Sequence, residues 1–182
     1  MPDPKQSWSF LENSDPVSSA ADVEVAIGRI AHEITARMRD AYPLVLVVMG
    51  GAIVFAGQLL PRLRFPLDLD YIHASRYGDA VTGGGIRWRV EPPAGVGGRA
   101  ILVLDDILDG GQTMAAIRER LLALGAKSFS CAVLVEKILQ KKKPIVADFV
   151  GLNIPDRFVF GCGMDAKGFW RNLPEIRAMR ET

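Results

Sequence analysis

The sequence predicts an α/β protein, with a mostly parallel central sheet flanked by helices. Three observations predict it. Short, continuously apolar runs at residues 44–49 and 101–104 suit strands buried on both faces, and the largely apolar 129–135 reads as another strand. Segments with helical spacing fall between them, so strand and helix alternate along the chain. Two of the runs stop abruptly, one at Gly50-Gly51 and one at Asp105-Asp106, at the carboxyl edge where open α/β sheets bind ligands. The 182 residues fit one domain with a substantial core, and no internal repeat or linker divides them.

Residues 1–20 hold proline, serine and asparagine between scattered apolar groups and predict an arm. Residues 21–39 predict an amphipathic helix, because Val23, Val25, Ala26, Ile30, Ile34 and Met38 recur near helical spacing. After the strand 44–49 and its glycine pair, residues 53–60 return as a helix ahead of Pro61. Residues 67–72 alternate apolar and acidic side chains, as a strand does. Residues 78–85 are rich in glycine and small polar residues and predict a mobile loop, after which 86–90 resumes as a strand. Pro92, Pro93, Gly95, Gly97 and Gly98 make a tight connection to the strand 101–104. Residues 115–124 carry Ile117, Leu121, Leu122 and Leu124 at helical spacing, and Gly125 is placed to close that helix. The strand 129–135 and a short one at 149–152 complete the sheet.

Composition narrows the function. A net charge of +1 gives no field for nucleic acid or an acidic membrane surface. The cluster Lys141-Lys142-Lys143 runs into Pro144 and reads as a solvated turn. Cys131 and Cys162 lie in apolar surroundings without metal-ligand spacing, so unpaired thiols in a reducing compartment are expected. The first residues lack the apolar core of a signal peptide, and no apolar stretch reaches membrane-spanning length. The cytoplasm is the expected address.

The chemistry concentrates where the strand 101–104 ends. Asp105, Asp106 and Asp109 are followed by Gly110, Gly111, Gln112 and Thr113. The glycines let backbone approach a ligand closely, and the amides opening the next helix favour an anion. This layout suits a phosphorylated sugar. Thr113 also has the chemistry of a helix cap. The Gly-Lys-Ser/Thr ending of a P-loop is absent, as is the glycine spacing of a dinucleotide site. Two further loops should reach the same edge. Gly50-Gly51 offers free amides to an oxygen-rich group. His73-Ala74-Ser75-Arg76-Tyr77, with the glycine-rich stretch after it, has the composition of a lid that excludes water. Phe158 and Trp170, judged alone, read as core residues. His32 reads as a helix-surface residue, and neither it nor His73 has neighbours that suggest a metal or triad.

Residues 102–113 resemble the phosphoribosyl-diphosphate signature of type I phosphoribosyltransferases. Residues 148–161, Asp-Phe-Val-Gly-Leu-Asn-Ile-Pro-Asp-Arg-Phe-Val-Phe-Gly, resemble the purine-binding segment of the hypoxanthine-guanine members, as does Trp170-Arg171-Asn172-Leu173-Pro174-Glu175. Residues 74–77 resemble that family's catalytic loop, and the likeness runs from about residue 40 to 176. It implies the type I fold with a small hood formed by the terminal segments. Within a single domain, residues 1–20 would be an arm, about 40–150 the core and about 150–182 a purine-binding hood.

The resemblance also implies roles. Asp105 and Asp106 would hold the ribose hydroxyls, directly or through metal-bound water. Asp109 would be the base that handles the proton at N7 of the purine. Gly110, Gly111, Gln112 and Thr113 would cradle the 5′-phosphate. Gly50, Gly51 and Arg171 would meet the diphosphate, while Arg76 and Tyr77 would close over the reaction. Lys137 would donate to the purine 6-oxygen, Phe158 would stack on the ring, and the Val159 backbone would read its edge. Asp165 would ligate Mg2+.

The implied reaction is purine salvage. Hypoxanthine or guanine, a 6-oxopurine base, would join 5-phosphoribosyl 1-diphosphate to give IMP or GMP and diphosphate. A xanthine-preferring transferase and a non-catalytic nucleotide-binding regulator of the same fold are the alternatives. A homodimer or homotetramer is implied, with no nucleic-acid or membrane partner. Physical chemistry fits these roles. The reaction develops positive charge on the ribose carbon, which suits carboxylates, and negative charge on diphosphate, which suits arginine and magnesium. A lysine facing the 6-position favours an oxo group over an amino group. Two departures stand out, since the signature usually has a hydroxyl residue where this chain has Gly110, and often a lysine where it has Met49. Weaker sugar-diphosphate binding is the expectation.

Overall fold

The computed structural model describes residues 4–76 and 86–180; of Pro4, Lys5, Gln6 and Arg76 it describes the backbone alone. The chain opens with helix α1 (Pro4–Glu12) and strand β1 (Ser14–Ser18), so the expected arm has secondary structure of its own. Helix α2 (Ala20–Met38) begins at Ser19, where a capping box forms. The Asp22 amide donates to the Ser19 hydroxyl at 3.2 Å, and the Ser19 amide donates to the Asp22 carboxylate at 2.9 Å. Its inner stripe of Val23, Ile27, Ile30 and Ile34 is fully withdrawn from solvent. Strand β2 (Leu44–Val48) is buried along its whole length.

Helix α3 (Ile53–Leu59) is followed by a 3-10 turn, Leu60–Arg62, that contains Pro61. The proline therefore tightens the chain rather than stopping it, because its missing amide is no loss in a first turn. Strands β3 (Asp68–Arg76) and β4 (Ile86–Val90) flank the proposed mobile loop, and residues 77–85 lie outside the described residues. Strand β5 (Ala100–Leu108), helix α4 (Gln112–Ala123), strand β6 (Ser128–Ile138) and strand β7 (Phe149–Pro155) follow. Two short strands, β8 (Val159–Phe160) and β9 (Ile176–Met179), end the fold.

The main sheet has the order β4-β3-β2-β5-β6-β7 and is parallel except for the edge strand β4. Crossovers β2-α3-β3 and β5-α4-β6 step in opposite directions from the centre. Right-handed connection then puts α3 and α4 on opposite faces, with α2 packed beside α3 and against β7. Strands β3, β5 and β6 run beyond the lengths predicted. Apolar patterning marks only the doubly buried part of a strand, whereas the ladder between β5 and β6 continues to Leu108↔Glu136.

Gly151 on β7 lies where α2 presses closest. A β-carbon there would sit 2.4 Å from the Leu134 carbonyl oxygen and 3.2 Å from Ile30 Cδ1. Gly151→Ala is therefore expected to destabilise the protein by about 1–3 kcal/mol through overpacking. Urea unfolding of the two proteins checks this; an unchanged midpoint would show that β7 can shift away.

The second sheet is antiparallel, in the order β1-β9-β8, and joins the two ends of the described chain. Ion pairs fasten it, since Asp15 meets both Arg157 at 3.0 Å and Arg180 at 2.9 Å. Ser14, 1% exposed, accepts at its hydroxyl oxygen from Arg177 Nε at 2.8 Å. Strand β7, which falls within residues expected to belong to the hood, pairs with β6 in the main sheet instead. Cys131 and Cys162 are buried and unpaired, and burial pushes their thiols up to about 12 and about 11. Among the described residues no helix is long and apolar enough to cross a membrane.

Candidate active site

Strand β5 does not end at its acids. The ladder passes Asp105↔Val133 and Ile107↔Val135 before it stops, so Asp105 and Asp106 are held by sheet rather than by loop. Asp106 is only 9% exposed, and Asp105 is partly buried. The turn beyond β5 places Gly111 in the left-handed region, at φ 81°, as the residue before α4. No side chain caps α4, so Thr113 lies in its first turn instead of capping it. The first amides of that helix are left for an anion.

A cleft forms at this edge. It is lined by Asp105, Asp106 and Asp109 and by Gly110, Gly111, Gln112 and Thr113. Met49, Gly50 and Gly51 also line it, with His73 and Ser75 from β3 and Arg171 from the C-terminal segment. A β-carbon on Gly51 would fall 2.0 Å from Asp106 Oδ2, so any larger residue there would have to displace that carboxylate. Gly163, at φ 105°, brings the hood onto this loop, where a β-carbon would lie 1.9 Å from the Gly51 oxygen. Arg171 donates to the Gly163 oxygen at 2.6 Å and pairs with Asp165. The other Asp165 oxygen accepts from the Gly168 amide at 2.6 Å.

A second compartment adjoins the first. It is lined by Lys137, Phe158, Val159, Met164 and Asp165, and the two share Asp106, Ile107 and Asp109. Lys137, 11% exposed at its side chain, lies 3.3 Å from Asp109 Oδ2 and 3.5 Å from Asp156 Oδ1. Phe158 is 54% exposed, so it is no core residue but a ring facing open space beside a cation.

A family model described as the phosphoribosyl transferase domain matches residues 17–167. The chain belongs to the phosphoribosyltransferase family. It is 32% identical over 163 residues to the hypoxanthine-guanine phosphoribosyltransferase of Bacillus subtilis, covering 89% of this chain and 91% of that protein. The hypoxanthine-guanine-xanthine phosphoribosyltransferase of Tritrichomonas foetus is 31% identical over 162 residues, 88% of each. The crystal structure of a hypoxanthine-guanine phosphoribosyltransferase from Bacillus anthracis superposes with a TM-score of 0.85 at 27% identity, covering 91% of this chain and 98% of that one.

The residues singled out in the sequence of this phosphoribosyltransferase therefore divide into two compartments with a common seam. Gly50, Gly51, Asp105, Asp106, Asp109, Gly110 to Thr113 and Arg171 line the cleft, and Lys137, Phe158, Val159 and Asp165 line its neighbour. Arg76 ends β3 by its backbone, and Tyr77 lies outside the described residues. Sequence reasoning missed Asp156, which has an ion-pair contact with Lys137, and Met164 on the wall; only the contacts of the folded chain identify them. It also missed Gln112's second role. A β-carbon on Gly110 would meet Gln112 Oε1 at 2.3 Å, so the glutamine amide lies where the usual hydroxyl side chain would go. Of the lysine cluster, Lys141 and Lys142 are exposed as expected, and only Lys143 departs from a solvated turn. Lys143 is 10% exposed at its side chain and bonded within the fold, because its neighbours supply oxygens that a charge count cannot reveal.

Burial holds the Asp105 carboxyl well above the usual carboxylate range, and the charge on Asp106 adds to it. Burial raises Asp106 too, with its hydrogen bonds and Arg171 pulling the other way. For Asp105 the folded pKa lies above the unfolded one. Between the two the folded protein keeps a proton that the unfolded chain has released, so stability falls as pH rises through that window. Asp105→Asn should therefore raise the melting temperature of the free phosphoribosyltransferase at neutral pH, by roughly 2–4 °C per kcal/mol recovered. The gain should shrink towards the ordinary carboxylate value of 3.8. Thermal unfolding across pH checks it, and a variant no more stable than the parent at neutral pH contradicts it.

Proposed function

We propose that this phosphoribosyltransferase joins hypoxanthine or guanine to 5-phosphoribosyl 1-diphosphate, releasing diphosphate and IMP or GMP. The observation that carries the reading is the seam. A cleft of carboxylates and free amides meets a compartment with a cation and an exposed ring, and Asp106, Ile107 and Asp109 belong to both. A sugar on one side and a planar base on the other would meet there.

The amides of Gly110, Gly111, Gln112 and Thr113 would take the 5′-phosphate, and those of Gly50 and Gly51 the diphosphate. Asp105 and Asp106 would orient the ribose hydroxyls and offset positive charge as the glycosidic bond loosens. Arg171 would stabilise the departing diphosphate. Asp109 would accept the N7 proton. Lys137 would donate to the 6-oxygen, with Phe158 stacked on the ring and the Val159 backbone reading its edge. Arg76 and Tyr77 would close the site.

The donor set fits Mg2+. Among the described residues no group of three or more His, Cys, Asp or Glu side chains forms a cage. Magnesium takes one or two carboxylates and completes its shell with water and substrate phosphates. Asp105 and Asp106 supply such a pair, and each engaged oxygen of Asp165 keeps a further lone pair. Bound magnesium would neutralise charge on the leaving diphosphate. The enzyme would act in the cytoplasm as a homodimer or homotetramer. Exposed Leu69 and Tyr71, two apart on one face of β3, support self-association.

Ultraviolet assays of nucleotide formation with hypoxanthine, guanine, xanthine and adenine, with and without magnesium, test the reading. Product from the first two, requiring magnesium, is expected. Adenine should fail, because its amino group meets the Lys137 ammonium donor to donor. Equal use of adenine, or no product from any base, overturns it.

A further inference from the structure

We propose that Lys143 is a positioning residue for base transfer: it fixes the distance between the proton acceptor Asp109 and the purine-reading Lys137. This rests on the reading of the seam given above. The ladder between β5 and β6 ends at Leu108↔Glu136, so Asp109 stands one residue beyond the last pair of its strand. Past that pair the strands have lost their common hydrogen bonds just where the two key side chains face each other. Lys143 supplies the missing tie. Its ammonium donates to the Leu108 carbonyl at 3.0 Å, to the Lys137 carbonyl at 2.7 Å and to Glu136 Oε1 at 2.9 Å. An ammonium has three hydrogens, and all three are used.

The tie is rigid because it is sheltered, with the Lys143 side chain 10% exposed and its partner Glu136 21%. The direct pair between Lys137 and Asp109 is a weaker restraint, being 3.3 Å long with Asp109 58% exposed. The stem of Lys143 has a separate contact. Its Cβ, with Pro144 Cδ and Ile145 Cγ2, lies 3.3–3.5 Å from where a β-carbon on Gly111 would be. The stem thus underlies the phosphate turn, while the ammonium sets the seam. Methionine at this position keeps the first and deletes the second.

Loss of the ammonium alone strands a sheltered carboxylate and two carbonyls, which would lower stability for reasons unrelated to the reaction. The test therefore uses two variants, Lys143→Met and the double variant Lys143→Met with Glu136→Gln, in which the orphaned charge is also removed. Steady-state kinetics with hypoxanthine and phosphoribosyl diphosphate are compared with thermal unfolding. In both variants kcat should fall and the KM for hypoxanthine rise, each by about 10-fold, with the KM for phosphoribosyl diphosphate within about twofold. The double variant should regain the melting temperature without regaining turnover. A purely structural role would instead lower the amount of active enzyme and leave both KM values alone. Recovery of turnover along with stability overturns the proposal, as does an unchanged hypoxanthine KM. If the unaltered enzyme forms no nucleotide from any purine, the function itself fails, and this role with it. Normal kinetics in the variants of an active enzyme refute only the role of Lys143.

Discussion

Asparagine at position 109 is expected to cut turnover by about 10²–10⁴-fold while leaving phosphoribosyl diphosphate bound as tightly as before. Asp109 is the only one of the three acids that stands past the end of β5, and it faces both compartments. Asparagine matches its size and keeps one acceptor oxygen, but it cannot take a proton at ordinary pH. The loss therefore falls on the proton-transfer step. The fold should be indifferent, because the ion pair to Lys137 has an exposed carboxylate and such pairs contribute about 0–1 kcal/mol. Turnover with hypoxanthine, together with a binding titration of phosphoribosyl diphosphate, checks both halves. Turnover at the parent level would remove Asp109 from the chemistry.

Lys137→Met should lower kcat/KM for hypoxanthine and guanine by about 10–150-fold, the range for loss of one hydrogen bond from a charged donor. The magnitude depends on how firmly the ammonium is aimed. Lys137 is 11% exposed and lies between two acids, so its freedom to find water or another partner is small. The same substitution should narrow the gap between hypoxanthine and adenine, since the donor proposed to reject an amino group would be gone. Competition between the two bases measures this directly. Undiminished preference for hypoxanthine would move the discrimination to the backbone of Val159.

Much of this layout was legible in the sequence, for identifiable reasons. The sheet was, because β2 and the first half of β5 are buried on both faces and read as unbroken apolar runs. The cleft was, because acids and glycines cluster within residues 105–111, just ahead of a helix. The far half of β5 was not. Asp105 and Asp106 look like the start of a loop by composition, yet hydrogen bonds to β6 hold them in the sheet. The hood strands were also hidden, since β8 is two residues long and β9 four, too short for a period to show. Phe158, judged alone, reads as core for a related reason, although the resemblance made it a ring-stacking residue. An aromatic residue in an apolar stretch is usually core, whereas this ring is 54% exposed. Lys143 shows the limit most clearly, because its three oxygens come from two different strands and two of them are backbone.

The pairing of β1 with β9 bears on how the chain is made. Strand β1 waits for residues 176–179 before it has a strand to pair with, and Ser14 cannot find Met179 until almost the whole described chain has been synthesised. The main sheet needs nothing beyond Pro155. On a ribosome adding about 5–20 residues per second, the sheet can therefore assemble while the hood cannot. Both compartments are finished late, since one is lined by Met164 and Asp165 and the other by Arg171. A nascent chain would hold its phosphate turn and its acids before it could hold a base, so competence for the reaction arrives in one late step.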